Sequence, residues 1–324
     1  MNFLTNIDIK PLPLPITYHH QLMLTGSCFT EHIGNNLAEL KFQVLQNPNG
    51  ILFEPLSVCR SLVSYIQNKQ YKEEDLFYYN ELWQSWDHHS RFSHPDKLIC
   101  LQQINASQAK AHHFIKETDW LIITLGSSFA YKLYKDNRFV ANCHKAPAQW
   151  FEKILIPIDE QIATLDNTMH QLFHFNPKLK IIFTISPVRH LRDGVVENNR
   201  SKARLIETVH QLVNKFDRLF YFPAYELVID VLRDYRFYDI DFAHPNYSAT
   251  QFVMEKFTNY AFQESTLKLM KEIKQLVNAK NHKAFHPDSN QHLQFLKLHG
   301  ELTRKLSIDH PHLNFSPELA YFNH

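Results

Sequence analysis

Four residues in this chain have the types and spacing needed for covalent chemistry: Ser27 and Cys28 side by side near the start, and Asp241 three positions before His244. A hydroxyl attacks a carbonyl only when a base takes its proton. Imidazole is the usual base once a carboxylate fixes its tautomer. Ser27 stands where an apolar run gives way to a helical pattern, and the free amides of a helix start stabilise negative charge on a neighbouring oxygen. The same position suits a plain N-cap, although Thr30, in place of Glu or Gln, leaves a capping box incomplete. Asp241 and His244 share one loop with Pro245 behind them, and their plainer reading is a turn aspartate and a surface histidine in a chain that holds 21 His. Cys28 is the competing nucleophile, because a thiol at a helix start is activated. It is expected to point one helical step away from Ser27 and to pack against a sheet.

The oxyanion formed on attack needs donors. The amide of Ser27 or Cys28 is one, and the amide of Gly50 is a second candidate, with an ordinary turn as the simpler role of Asn49 and Gly50.

Five short apolar runs must position these groups: residues 21–26, 42–46, 120–125, 180–185 and 219–222, each followed by turn residues and a helical pattern. That alternation predicts a parallel sheet, whose ligands bind beyond the carboxyl ends of the strands. Helical faces follow in step: Phe29, Ile33, Leu37 and Leu40; Cys59, Leu62, Val63 and Ile66; Ile162, Leu165, Met169 and Leu172; Leu205, Val209, Leu212 and Phe216. Residues 78–104 and 131–148 break the rhythm and read as β-hairpin excursions from the sheet. Beyond residue 262 the spacing of Leu269, Ile273, Leu276 and Val277 predicts a helix, then a polar linker over 278–289, then a last helix. The expected division is a catalytic domain over 1–262 and a C-terminal helical extension over 263–324.

Composition bounds the partners. Of 324 residues, 44% are hydrophobic and 21% charged, enough to bury a core, and Lys+Arg 34 against Asp+Glu 33 leaves a formal charge of +1. Such a balance gives no pull toward nucleic acid or an anionic membrane, so a small or neutral molecule is the expected partner. Cys28, Cys59, Cys100 and Cys143 are scattered without a Cys-x-x-Cys pair, which predicts neither a zinc knuckle nor a disulfide framework. No leader pattern stands in residues 1–15 and no run approaches the ~18 apolar residues of a membrane span, so a cytoplasmic protein is expected. His88, His89 and His94 have no ligand spacing, and neither metal nor cofactor is expected.

Taken together, these segments resemble the GSCFA family of the SGNH/GDSL hydrolase clan. The naming motif stands as Gly26-Ser27-Cys28-Phe29, and similar segments follow in order at residues 49–53, 89–95, 141–145, 186–193, 221–226 and 234–238, ending at His244-Pro245. The likeness spans residues 24–257. It implies a three-layer, flavodoxin-like α/β sandwich with a five-stranded parallel sheet, Ser27 as nucleophile, Gly50 as oxyanion donor, and Asp241 with His244 as the base. In place of the clan's Gly-x-Asn-Asp block the chain has Gly126-Ser127-Ser128-Phe129. Ser127 is the positional substitute for the missing donor, and Asn142, with His144, is the alternative if the second excursion folds over the site. Arg189 and His190 follow the fourth run and could bind a carboxylate, a phosphate or a sugar hydroxyl. The expected activity is that of a serine esterase or acyltransferase, with an O-acylated sugar or polyol as substrate class. The competing expectation is a non-catalytic carbohydrate-binding or scaffold protein with a degenerate site.

Overall fold

Leu22 and Leu24 turn to one side of their strand and Met23 to the other, and the same two-residue alternation runs through each central strand, so the sheet needs cover on both faces. The structure, a computed structural model, describes residues 5–322. In chain order its elements are β1 (Gln21–Gly26), α1 (Cys28–Glu39), β2 (Gln43–Gln46), α2 (Pro55–Ile66), β3 (Leu76–Tyr79), β4 (Leu82–Ser85), α3 (Lys97–Glu117), β5 (Trp120–Leu125), β6 (Phe129–Leu133), β7 (Phe139–Val140), β8 (Phe151–Leu155), α4 (Ile158–Phe175), β9 (Lys180–Ile185), α5 (Val195–Lys215), β10 (Leu219–Phe222), α6 (Ala224–Glu226), α7 (Tyr247–Ala261), α8 (Glu264–Asn281), α9 (Asn290–Asp309) and α10 (Ser316–Phe322).

Five strands pair in parallel in the order β10-β9-β5-β1-β2. Counted along the chain, this is the 2-1-3-4-5 arrangement of flavodoxin-like folds, and its switch point lies between β1 and β5. One face is covered by α1, α7 and the C-terminal helices through Leu22, Leu24, Phe29, Ile33, Phe257, Ile273 and Leu306. The other is covered by α2, α4 and α5, with the end of α3, through Met23, Leu62, Ile115, Leu165 and Leu205. The five expected runs and the fold class are therefore as read from the sequence.

The C-terminal helices share the first of these cores with β1 and α1. Lys41, just past α1, donates to Glu318 of α10 at 2.8 Å with both side chains largely buried, and also to the Asn314 carbonyl at 2.8 Å. Two helices, α9 and α10, follow the polar segment where one was expected, and α8 itself runs four residues into the expected linker, to Asn281.

The excursions differ from expectation in extent. β3 and β4 form the predicted hairpin, turned at Asn80 and Glu81, both with positive φ, as a two-residue type I′ loop requires. The end of that segment is the start of α3, which the sequence hides because its buried stripe is built from Cys100, Ile104, Gln108, Ala111 and Ile115, a weakly apolar face. The second excursion recruits β8 as a third antiparallel strand, in the order β7-β6-β8. The two excursions are clasped by Ala141 N donating to the Trp86 carbonyl at 2.8 Å and by Phe77 and Trp86 stacked 3.5 Å apart, the latter pair lying within the first excursion and facing His144 of the second.

Candidate active site

At the carboxyl edge of β1 the chain turns sharply into α1. Gly26 has φ +135°, and its neighbours are pinned: Gly26 N donates to Asn47 Oδ1 at 2.9 Å, Leu52 N to the Gly26 carbonyl at 3.0 Å, and Ser27 N to the Thr124 carbonyl at 3.0 Å. Asn47, fully buried after β2, thus clamps the turn, a positioning role that its place in an ordinary-looking loop did not reveal. Ser27 is the N-cap of α1 in extended conformation, with no hydrogen bond from its side chain to the helix. It is only 1% exposed, and its hydroxyl has no hydrogen-bond partner.

The loop carrying Asp241 and His244 arrives over the same edge. Arg189 N, just past β9, donates to the Ala243 carbonyl at 3.0 Å, and Asp239 N to the His244 carbonyl at 2.8 Å. Asp241 does two jobs. Its Oδ1 accepts from Ala243 N at 2.9 Å and His244 N at 3.0 Å, which makes the turn, while its Oδ2 lies 2.6 Å from His244 Nδ1. These donors, led by the His244 amide and ring, hold the Asp241 carboxyl down at about 2, so it stays ionised and fixes the proton on Nδ1. His244 Nε2 is then the free base.

A cleft of about 370 Å³ joins the two loops. It is lined by Cys28, Phe29 and His32 of α1, by Val188 past β9, and by Asp239, His244, Pro245, Tyr247 and Thr250. Cys28, expected to pack against the sheet, is half-buried and lines this cleft, while Ser27 does not. The physical reason is the helix start: successive residues there point about 100° apart, and the turn at Gly26 aims the first of the two inward.

Several expected site residues have other partners. The Gly50 amide donates to the Asn47 carbonyl at 2.8 Å, and a Cβ on Gly50 would sit 2.1 Å from His89 Cβ, so Gly50 serves a turn and a close approach of the first excursion. Ser127 Oγ accepts from Phe129 N at 3.0 Å and lies 3.3 Å from Ser201 Oγ on α5. Asn142 Oδ1 accepts from His144 N at 2.8 Å, which caps a turn. His144 is buried with Nε2 2.8 Å from the Ser85 carbonyl and Nδ1 3.2 Å from Ser90 Oγ, a clasp between excursions and not a substrate-facing group. The Arg189 guanidinium lies over the Tyr238 ring, 4.2 Å from its centroid. His190 is pushed down to about 4, by burial first and then by the Lys202 and Lys153 charges, so at neutral pH it offers hydrogen bonds and no charge. The amides left for an oxyanion are those of Cys28 and Phe29, in the first turn of α1, where backbone N–H groups have no helical carbonyl partners.

Beneath the site lies a group the sequence reading missed. Lys202 of α5 is 1% exposed, and its ammonium donates to the Gly126 carbonyl at 2.6 Å and the Ser186 carbonyl at 2.7 Å, stapling the ends of β5 and β9. The signal was present: Ser201, Lys202, Leu205, Val209 and Leu212 form one buried stripe, so the apolar face of α5 extends back to the lysine. Burial pushes Lys202 from an ordinary 10.5 down to about 7. Below that pH both folded and unfolded chains carry the charge. Between about 7 and 10.5 the folded chain loses the proton that the unfolded chain keeps, so this residue's contribution to stability rises with pH across that window. Lys202→Met is therefore expected to remove that increment, up to a few kcal/mol. Urea unfolding of both proteins at about pH 6.5 and about pH 9.5 measures it, and a difference that does not change with pH contradicts the assignment.

Among the described residues no group of three or more His, Cys, Asp or Glu is arranged to hold a metal ion, and no helix is long and apolar enough to cross a membrane.

A 2-1-3-4-5 parallel sheet with a carboxylate-held imidazole facing a helix start across one cleft defines a three-layer α/β protein with its candidate site at the topological switch point. The chain belongs to the GSCFA family: that family's profile matches residues 21–257, and the profile of the GSCFA domain protein C-terminal domain matches residues 273–324. No curated protein matches it. Among solved structures it is similar to a carbohydrate esterase family 3 protein from Talaromyces cellulolyticus, at 11% identity and a TM-score of 0.38, covering 79% of this chain and 99% of that one. It is also similar to an acetyl xylan esterase from the rumen bacterium Butyrivibrio proteoclasticus, at 10% identity and a TM-score of 0.38, covering 79% of this chain and 66% of that one. Overlap at that level leaves function to be argued from the site.

Proposed function

We propose that the protein is an acyl-transfer enzyme, an esterase or acyltransferase that takes the acyl group of a carboxylic ester through a covalent acyl-enzyme. The observation that carries this reading is the His244 ring held at 2.6 Å by an ionised Asp241 in a cleft whose other side is the amino end of α1. Such a base can take a proton from a nucleophile on α1 and return it to the leaving alcohol, and the amides of Cys28 and Phe29 can meet the oxyanion. A volume near 370 Å³, walled by Asp239, Tyr247 and Thr250, suits a short acyl group on a hydroxylated carrier, so an O-acylated sugar or polyol is the proposed substrate class.

A second reading, a silent carbohydrate-binding protein, draws on the engagement of the Gly50 amide and the Ser127 hydroxyl elsewhere, which leaves the oxyanion to backbone donors of α1 alone. Release of p-nitrophenol from p-nitrophenyl acetate and of acetate from an acetylated xylose separates the two. Turnover of either supports the enzyme; saturable binding of the sugar with no release of acetate supports the binder.

A further inference from the structure

The geometry points to the Cys28 thiol, not the Ser27 hydroxyl, as the group that carries the acyl chain, so the covalent intermediate is a thioester. This rests on the acyl-transfer reading above and names its nucleophile. A nucleophile must be reachable by both the acyl carbon and the base. Cys28 meets that condition, since it lines the cleft that His244 lines. Ser27 does not: its hydroxyl is buried without a partner, and its Cβ lies 3.4 Å from where a Cβ on Gly126 would stand, which places the side chain between the ends of β1 and β5, under the helix start. Cys28 is also the first residue of α1, where the backbone amides of the first turn have no helical carbonyl partners and favour negative charge on the sulfur. Burial raises the thiol above its ordinary range, so it rests protonated and needs the imidazole opposite.

The step balances without any further reagent. His244 Nε2 takes the thiol proton as Sγ bonds to the carbonyl carbon, and the tetrahedral oxyanion collapses to break the bond to the ester oxygen. The imidazolium then returns its proton to the leaving alcohol. Water or an acceptor hydroxyl repeats the sequence in reverse on the thioester.

The test treats the full chain, and its Cys28→Ala, Cys28→Ser, Ser27→Ala and His244→Ala variants, with p-nitrophenyl acetate, followed by peptide mass mapping and by neutral hydroxylamine, which cleaves thioesters far faster than oxygen esters. Far-ultraviolet circular dichroism checks that each variant folds. The expected result is acetyl on the Cys28 peptide, released by hydroxylamine, retained in Ser27→Ala, absent from Cys28→Ala, and formed about 100-fold more slowly in His244→Ala. That last comparison separates the site from incidental acetylation of another thiol. Acetyl on Ser27, or wild-type turnover in a folded Cys28→Ala protein, overturns the thiol assignment and leaves acyl transfer standing. Cys28 acetylation at the same rate with and without His244, or no acetylation at all, overturns both.

Discussion

Replacing His244 with alanine is expected to lower p-nitrophenyl acetate turnover by about 100- to 10,000-fold while leaving the fold intact. The argument has two parts. The ring is half exposed and contributes only its bond to Asp241, while the turn itself is made by backbone amides donating to Asp241 Oδ1, which alanine at 244 retains. Under the proposed mechanism the chemistry loses the imidazole that an ionised carboxylate holds, so the protonated thiol attacks unaided. Steady-state rates with unfolding midpoints measure both sides of the statement. Loss of activity together with a large fall in midpoint would mean that the ring serves the fold; full activity would remove the acyl-transfer reading altogether. Asp241→Asn is expected to fall between the two. An amide oxygen can still hold the turn, but it presents a donor to Nδ1 and so favours the wrong tautomer.

Substituting alanine at Gly26 should be the most damaging change of a single methyl in the chain's motif. An added Cβ would lie 2.1 Å from the Thr124 carbonyl oxygen and 2.8 Å from its carbon, both backbone atoms of the neighbouring central strand, and φ of +135° is foreign to any residue with a side chain. Relief requires β1 and β5 to part at the switch point, which breaks the bonds from Ser27 N to Thr124 and from Leu52 N to Gly26. A loss above about 3 kcal/mol is expected, with activity lost before the fold. Gly194→Ala is the matched control: φ is +87° and ψ 162°, but nothing crowds its added Cβ within 4 Å, so only local backbone strain of about 1–3 kcal/mol applies. Thermal unfolding of the pair decides the matter. Equal, small losses would show that the β1 turn tolerates what its geometry forbids.

Much of the architecture was legible because it is written locally. The five apolar runs became the five parallel strands, since a strand buried on both faces needs little more than a short apolar stretch between turn signals. The helix faces read from Phe29, Ile33 and Leu37, or Leu205, Val209 and Leu212, are buried as a 3.6-residue period demands. Legibility failed where burial is not apolar. The stripe of α3 includes Gln108, whose amide donates to the Ser64 carbonyl at 2.5 Å, and α5 buries Lys202 against two carbonyls. In both places a hydrogen bond to a distant element makes a polar residue a core residue, and no periodicity in hydropathy reports that. Three of the candidate oxyanion donors were not legible for a related reason: Gly50, Ser127 and Asn142 carry the right groups, but each is engaged by a turn or a neighbouring helix.

The sequence alone, then, determined the parallel sheet, the edge proposed for the chemistry and the loops that reach it, because residue type, spacing and chain order are enough to set those. It also gave Ser27 as the nucleophile with Cys28 beside it as the rival. The side-chain placement on which the proposal of Cys28 rests came only from the tertiary structure. The two side chains differ by a rotation of roughly 100° about a helix start, and its orientation is set by contacts from Thr124, Asn47 and Leu52, residues remote from Ser27 and Cys28 in the chain.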